Sequence, residues 1–362
     1  MSTTQTNRPG NRLSTASETA LLEQVCEAIN EGTPLMIQGG NSKAFLGRKT
    51  QGTILDTKIH QGVVNYDPTE LVVSVKAGTS LAELESVLAE KGQFLPFEPP
   101  HFSETATVGG MVAAGIAGPR RPWVGSVRDF VLGTKVITGH GKLLRFGGEV
   151  MKNVAGYDLS RLMAGCYGCL GLITEVSMKV LPKPRHQRHL SIACDQATAL
   201  QNLTRWGQQP LPLTGACFYQ DRLYLRLEGG EASVNNFAMS LQGDELAPGF
   251  WTELKEQKLP FFQSSENLWR LSLPVDAKQP SIDGDYLIDW GGAQRWYKTS
   301  APEAEVRQQA IVLGGHATCF TPNVTDQPFQ PLQALVLRYH QQLKAQLDPK
   351  GIFNPGRMYS DY

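Results

Sequence analysis

The sequence predicts an α+β protein built in two units. Three observations carry this. From residue 15 to residue 180, short apolar strands mix with amphipathic helices. Residues from about 186 to 325 lack glycine-rich loops of the kind found in that part of the chain. After Pro182-Lys-Pro184 the texture turns more polar. A length of 362 residues suits two domains of about 100–200 residues each. The boundaries read from texture are 1–185, 186–330 and a closing segment 331–362.

Thr15 and Glu18 have capping-box spacing, Leu21, Leu22, Val25 and Ile29 repeat at helical intervals, and Gly32 follows as a stop. Residues 34–37 read as a strand leading into a glycine loop, and residues 54–56 as another strand. Residues 63–66 and 71–75 flank the turn pair Asp67-Pro68. Ser80 and Glu83 repeat the capping spacing ahead of Leu81, Leu84, Val87 and Leu88, with Gly92 ending that helix. Residues 131–138 and 142–146 read as a hairpin around Gly139-His-Gly141. Asp158 can cap a short helix through Met163. The alternation from Leu172 to Val180 predicts a strand with Glu175, Ser177 and Lys179 on its polar face. In the second unit, residues 217–227 and 286–290 look like strands and 302–313 like a helix. Leu332, Leu335, Val336, Tyr339, Leu343 and Leu347 mark an amphipathic helix near the end.

Lys plus Arg and Asp plus Glu each total 34, so net charge gives no argument for nucleic acid or an anionic surface. No apolar run approaches the roughly 18 residues of a membrane span. The polar opening stretch lacks a signal-peptide plan, so a cytoplasmic location is expected, with membrane contact only through partners. Of six scattered cysteines, only Cys166 and Cys169 have ligand-like spacing, and no second pair completes a site. We expect no metal.

Three loops carry the chemistry. Residues 38–43 (Gln-Gly-Gly-Asn-Ser-Lys) follow a strand, and glycine there admits close backbone approach to a phosphate. The dinucleotide and Walker fingerprints are both absent from this loop. Residues 106–118 concentrate small residues around Thr107-Val-Gly-Gly110 and Gly115, and residues 165–171 place three glycines before a strand.

With these loops in this order, the chain resembles the FAD-linked oxidases of the vanillyl-alcohol oxidase (PCMH) type. The likeness also covers residues 348–356 (Asp-Pro-Lys-Gly-Ile-Phe-Asn-Pro-Gly) and so spans nearly the whole chain. Within that family, residues 153–159 and 290–296 are similar to FAD-binding subunits of glycolate oxidases. The resemblance implies a two-part PCMH-type FAD-binding domain, an inserted α+β cap, and a C-terminal segment that returns to the FAD domain. It implies that Gln38, Gly39, Gly40, Asn41, Ser42 and Lys43 cradle the pyrophosphate. Thr107, Val108, Gly109, Gly110 and Gly115 would run beside pyrophosphate and isoalloxazine. Gly168, Gly171 and Ile173 would lie near adenosine and flavin, and Asn354 joins the cofactor set. Asn41 stands where covalently flavinylated members often have histidine, so the FAD is expected to be non-covalent. The histidine-rich cap motif of metal-dependent 2-hydroxy-acid dehydrogenases is absent.

The resemblance further implies oxidation of glycolate or a related small 2-hydroxy acid in a complex. The expected partners are a paralogous catalytic flavoprotein and an iron–sulfur protein. A self-sufficient oxidase of another alcohol or hydroxy acid, and a non-catalytic assembly subunit, stay open. A hydroxy acid needs a cation for its carboxylate and a base for its hydroxyl. Arg295, beside Trp290 and Trp296, and His316, after Gly314-Gly315, are the candidates, though a surface ion pair is the commoner role for the first and a turn residue for the second.

Overall fold

The computed structural model describes residues 15–148 and 158–362. The opening stretch before residue 15 and most of the 153–159 segment lie outside the described residues. Among the described residues, an antiparallel five-stranded sheet forms the first layer. Its order is Val63–Asp67, Val72–Lys76, Leu172–Lys179, Val131–Ile137, Leu143–Gly147. Beside it, Leu35–Gln38 and Thr53–Asp56 pair in parallel.

The expected helix starts and stops are largely present. Helix Ala16–Glu31 opens with the Thr15 hydroxyl accepting from the Glu18 N–H and closes at Gly32, whose φ is 69°. Ser80 precedes helix Leu81–Glu90 but makes no side-chain cap bond. Strand Leu172–Lys179 differs from expectation. It is buried on both faces, because it lies between two other strands and its polar side is covered too. Glu175 there pairs with Lys135 at 3.7 Å and with Arg145.

The second sheet has eight strands, drawn from residues 186–319, and its described pairings are antiparallel. Residues 217–227 are not one strand. Leu213–Tyr219 and Arg222–Gly229 form a hairpin, turning where Gln220 and Asp221 both adopt positive φ. Helices Gln196–Trp206 and Glu231–Leu241 cover one face over a core that includes Leu203, Trp206, Leu223, Leu225 and Val234. On the opposite face, Trp251, Leu287, Trp296 and Phe320 pack with Leu46, Phe45, Ile116 and Tyr167 of the first unit. The small-residue loops therefore lie beneath this sheet.

Buried charges join the two units. Arg120 makes a two-pronged contact with Glu228, Nη2 to Oε1 being 2.8 Å, and Arg226 reaches Glu98 at 2.8 Å. The chain then returns to the first unit. The Leu35 N–H donates to the Ile352 carbonyl at 2.7 Å, and the Asn354 N–H donates to the Leu35 carbonyl at 2.9 Å. The terminal helix is Ala334–Leu347, and part of its expected apolar stripe, Leu335, Val336 and Tyr339, is exposed. No helix of the described residues is long and apolar enough to cross a membrane.

Candidate functional site

A cleft of about 370 Å³ opens along residues 36–44, with Thr107, Gly110, Ala113, Tyr167, Asn354 and Arg357 on its walls. A narrow arm of about 80 Å³ shares Ile37, Gly39, Gly110, Ala113, Tyr167 and Asn354 with the cleft and adds Gly109, Gly168, Gly171 and Ile173. The three predicted loops and the C-terminal segment thus converge on one space. Of the residues expected to hold the cofactor, Val108 and Gly115 do not line it. Val108 is fully buried in the first core. Gly115 ends helix Val108–Ala114, and a Cβ there would come within 3.0 Å of the Gly165 backbone, so its role is close approach between the second and third loops.

The first loop is shaped by what a side chain would strike. A Cβ on Gly40 would overlap the Thr105 carbonyl, and one on Gly39 would strike the Thr107 hydroxyl. Asn41 takes φ 57°, and behind the loop the Arg357 guanidinium donates to the carbonyls of Lys43 (3.3 Å) and Ala44 (3.1 Å). These contacts turn the chain so that the backbone N–H groups of residues 39–43 make no hydrogen bond within the protein, among the described residues. A row of free N–H groups along a glycine cradle fits an anionic diphosphate. Lys43 lines the same cleft. Burial, opposed by Glu256 and aided by Lys255, pulls its ammonium down to about 8, and Nζ donates to the His101 carbonyl at 3.2 Å. His101 itself is held by Glu85 at 3.1 Å.

The third loop is bonded to the second. The Gly165 N–H donates to the Val112 carbonyl (3.0 Å) and the Tyr167 N–H to the Ala113 carbonyl (2.8 Å). Behind it, buried Lys344 donates to the Cys169 carbonyl (2.6 Å), the Asp348 carboxylate (2.8 Å) and the Phe353 carbonyl (2.8 Å). The Asp348 carboxylate also accepts from the Ile352 and Phe353 N–H groups, which explains an aspartate at the head of the closing motif. Cys166 and Cys169 are packing residues of this loop. Burial raises both thiols, Cys169 to about 12. Among the described residues, no histidine or cysteine side chain lines the cleft or its arm.

A second chamber, about 750 Å³, adjoins the cleft and shares Ala114 and Tyr167 with it. Its sheet-side wall carries Arg270, His316 and Thr318. The structure thus places His316, exposed, on the wall of this chamber, but not Arg295. Period two decides this. Trp296 faces the first unit, so Arg295 points to the far side, where Trp269, Leu271 and Tyr297 pack. Fully buried there, Arg295 spends its guanidinium on the carbonyls of Gly292, Lys278 and Ala277 and on the Gln279 side chain. Sequence reading missed Arg270, Tyr167 and Arg357. Strand Asn267–Ser272 did carry a signal, an arginine alternating with Trp269 and Leu271.

Comparison with known proteins bears on the family, the fold and the cofactor. A model described as an FAD binding domain matches residues 13–147. The chain is 58% identical over 342 residues to the glycolate oxidase subunit GlcE of Escherichia coli (strain K12), covering 94% of this chain and 97% of that one. The chain belongs to the GlcE family of FAD-linked oxidases. Shorter matches connect this GlcE-family chain to glycolate oxidase subunit GlcD of Bacillus subtilis (strain 168), 34% identical over 38% of this chain and 29% of that one. D-lactate dehydrogenase of Archaeoglobus fulgidus is 30% identical over 46% of this chain and 37% of that one. An alkyldihydroxyacetonephosphate synthase structure shares the fold, with a TM-score of 0.67 at 17% identity over 95% of this chain and 75% of that one. FAD is accordingly the cofactor of this GlcE-family chain, and the PCMH-type α+β fold expected from the sequence is present.

Proposed function

We propose that this chain is the FAD-binding subunit of a multi-subunit glycolate oxidase, acting on glycolate or a similar 2-hydroxy acid. The observation that carries the reading is 58% identity to GlcE across nearly the full length of both chains. The relative's name as a subunit supports a GlcD-like flavoprotein partner; the proposal adds an iron–sulfur subunit that accepts electrons. We further propose that residues 1–185 and 331–362 work as one FAD-binding domain and 186–330 as its cap. The separate sheets and the return of residues 352–354 to strand Leu35–Gln38 support that division.

In this reading Gly39, Gly40, Asn41, Ser42 and Lys43 hold the diphosphate through their free N–H groups and the Lys43 charge. Thr107 and Gly110 form the opposite wall. Gly109, Gly168, Gly171, Ile173 and Asn354 line the arm that receives part of the cofactor's rings. Bound there, FAD supplies two-electron oxidation of a substrate C–H bond. The protein contributes orientation, a positive charge near the phosphates and exclusion of water. The test is a pull-down of the chain from its native cells, followed by glycolate-dependent dye reduction. Activity that requires co-purified subunits and the FAD of this chain supports the reading. Full turnover by the isolated chain supports a self-sufficient oxidase, and activity that survives loss of its FAD supports an assembly role.

A further inference from the structure

The buried and half-buried arginines of this protein, Arg270 among the latter, divide sharply by partner. Arg120 and Arg226 face Glu98 and Glu228. Arg295 and Arg357 are saturated by carbonyls and an amide oxygen, and Arg307 by Glu303 and carbonyls. Arg270 differs. Among the described residues its guanidinium makes no hydrogen bond and no ion pair, its Nε is buried without a partner, and its contact is the Phe320 ring at 5.0 Å. A guanidinium stays charged at any physiological pH, and a charge with its Nε desolvated and no counter-ion carries a cost that an anion in the chamber would relieve.

Its setting is a cavity. Strand Asn267–Ser272 pairs with His316–Cys319 in the register Arg270 to Thr318 and Ser272 to His316. Arg270, Thr318 and His316 therefore stand on one face of the sheet, the face that looks onto Tyr167 and the first unit. Arg270 lies close enough to Tyr167 for its charge to act on the phenol. Tyr167 is in turn a wall of the cleft and of its arm. A ligand held by Arg270 would thus lie next to the proposed flavin site.

We propose that this chamber is a carboxylate site, with Arg270 as its anchor, so that this subunit itself binds a small 2-hydroxy or 2-oxo acid. The planar fork of an arginine takes a carboxylate through two parallel N–H bonds, which supplies the missing partner. His316, one pair along, presents a ring to the hydroxyl or keto oxygen. The chamber, about 750 Å³, is far larger than a two- or three-carbon acid, so selection rests on charge and not on size. The choice of a 2-hydroxy or 2-oxo acid among small carboxylates rests on the flavin reading of the adjoining cleft.

The test is calorimetric titration of oxalate, a non-oxidisable mimic, into the purified full chain with and without FAD. It is run on wild type, Arg270→Gln and Arg270→Lys, with flavin content measured on each. Wild type is expected to bind oxalate, Arg270→Gln to bind it roughly tenfold or more weakly, and Arg270→Lys to fall between, since it keeps the charge without the fork. Flavin content should not change. No oxalate binding by wild type in either form, or equal binding by Arg270→Gln, overturns the site. FAD uptake without oxalate binding sinks this inference alone. Arg270-dependent oxalate binding by a chain that takes up no FAD upholds the site and sinks the flavin reading.

Discussion

The Asn354 carboxamide donates from Nδ2 to the Tyr167 carbonyl at 2.7 Å. Its Oδ1 accepts the Ile37 N–H at 2.8 Å, so one side chain ties the C-terminal segment to the first strand and to the third loop. Both ends of the amide are thereby committed to the protein. Asn354 lines the cleft and its arm, but it acts there by positioning the loops.

Asn354→Ala leaves a carbonyl and an N–H without partners at the cleft. A loss of about 1–3 kcal/mol per orphaned group is expected. Thermal unfolding should register that loss, and FAD content should fall with it. A variant with wild-type stability and flavin content would show that the stitch is unimportant.

Gly40→Ala tests the cradle itself. The added Cβ would overlap the Thr105 carbonyl, so the loop must move whether or not cofactor is present. Reduced stability of the FAD-free protein is the expected result, read by chemical denaturation. Unchanged stability would mean that the loop and the Thr105 backbone are not in contact.

Much of this site was legible in the sequence because glycine clusters mark where backbones approach one another. All three loops converge where their order implied. The misreadings share a cause, which is dependence on partners distant in sequence. Glu175 looked solvated and is buried against Lys135 and Arg145. Gln220-Asp221 turns a hairpin without the usual glycine or asparagine. Arg295 was chosen for its tryptophan neighbours, yet its strand register sends it to the far face, while Arg270 reaches the chamber. Leu335, Val336 and Tyr339 repeat helically, but periodicity alone does not say what covers them.

Denaturation should release the flavin. The first-loop position holds Asn41, and among the described residues no histidine or cysteine side chain lines the cleft or its arm. Acid or heat precipitation followed by absorbance of the supernatant is the check. Flavin that stays with the polypeptide would contradict non-covalent binding.

Acid should loosen the joint between the two sheets. Burial alone would raise the Glu228 carboxyl, but the Arg120 hydrogen bond and charge, with Arg226, outweigh it and hold the group below its ordinary 4.5. A depressed carboxyl contributes its stabilisation above the unfolded-state pKa and loses it as pH falls through the folded one. Stability should therefore drop on acidification below the ordinary glutamate range. Glu228→Gln should cost about 3–5 kcal/mol at neutral pH and flatten that acid limb. Unfolding curves across the acid range decide it, and parallel pH profiles for the two proteins would refute the assignment.

The most direct test of the central claim is an FAD titration of the deflavinated chain, comparing wild type with Gly110→Val. Gly110 lines the cleft and its arm, and a Cβ there would meet the Thr107 hydroxyl at 3.1 Å, a capping group that must give by a few tenths of an ångström, so the substitution fills the cleft at modest cost to the fold. Wild type should take up stoichiometric FAD, while Gly110→Val should show the same circular dichroism, melt as a cooperative fold at a slightly lower temperature, and bind little or none. Undiminished FAD binding by Gly110→Val would contradict the placement of FAD in this cleft.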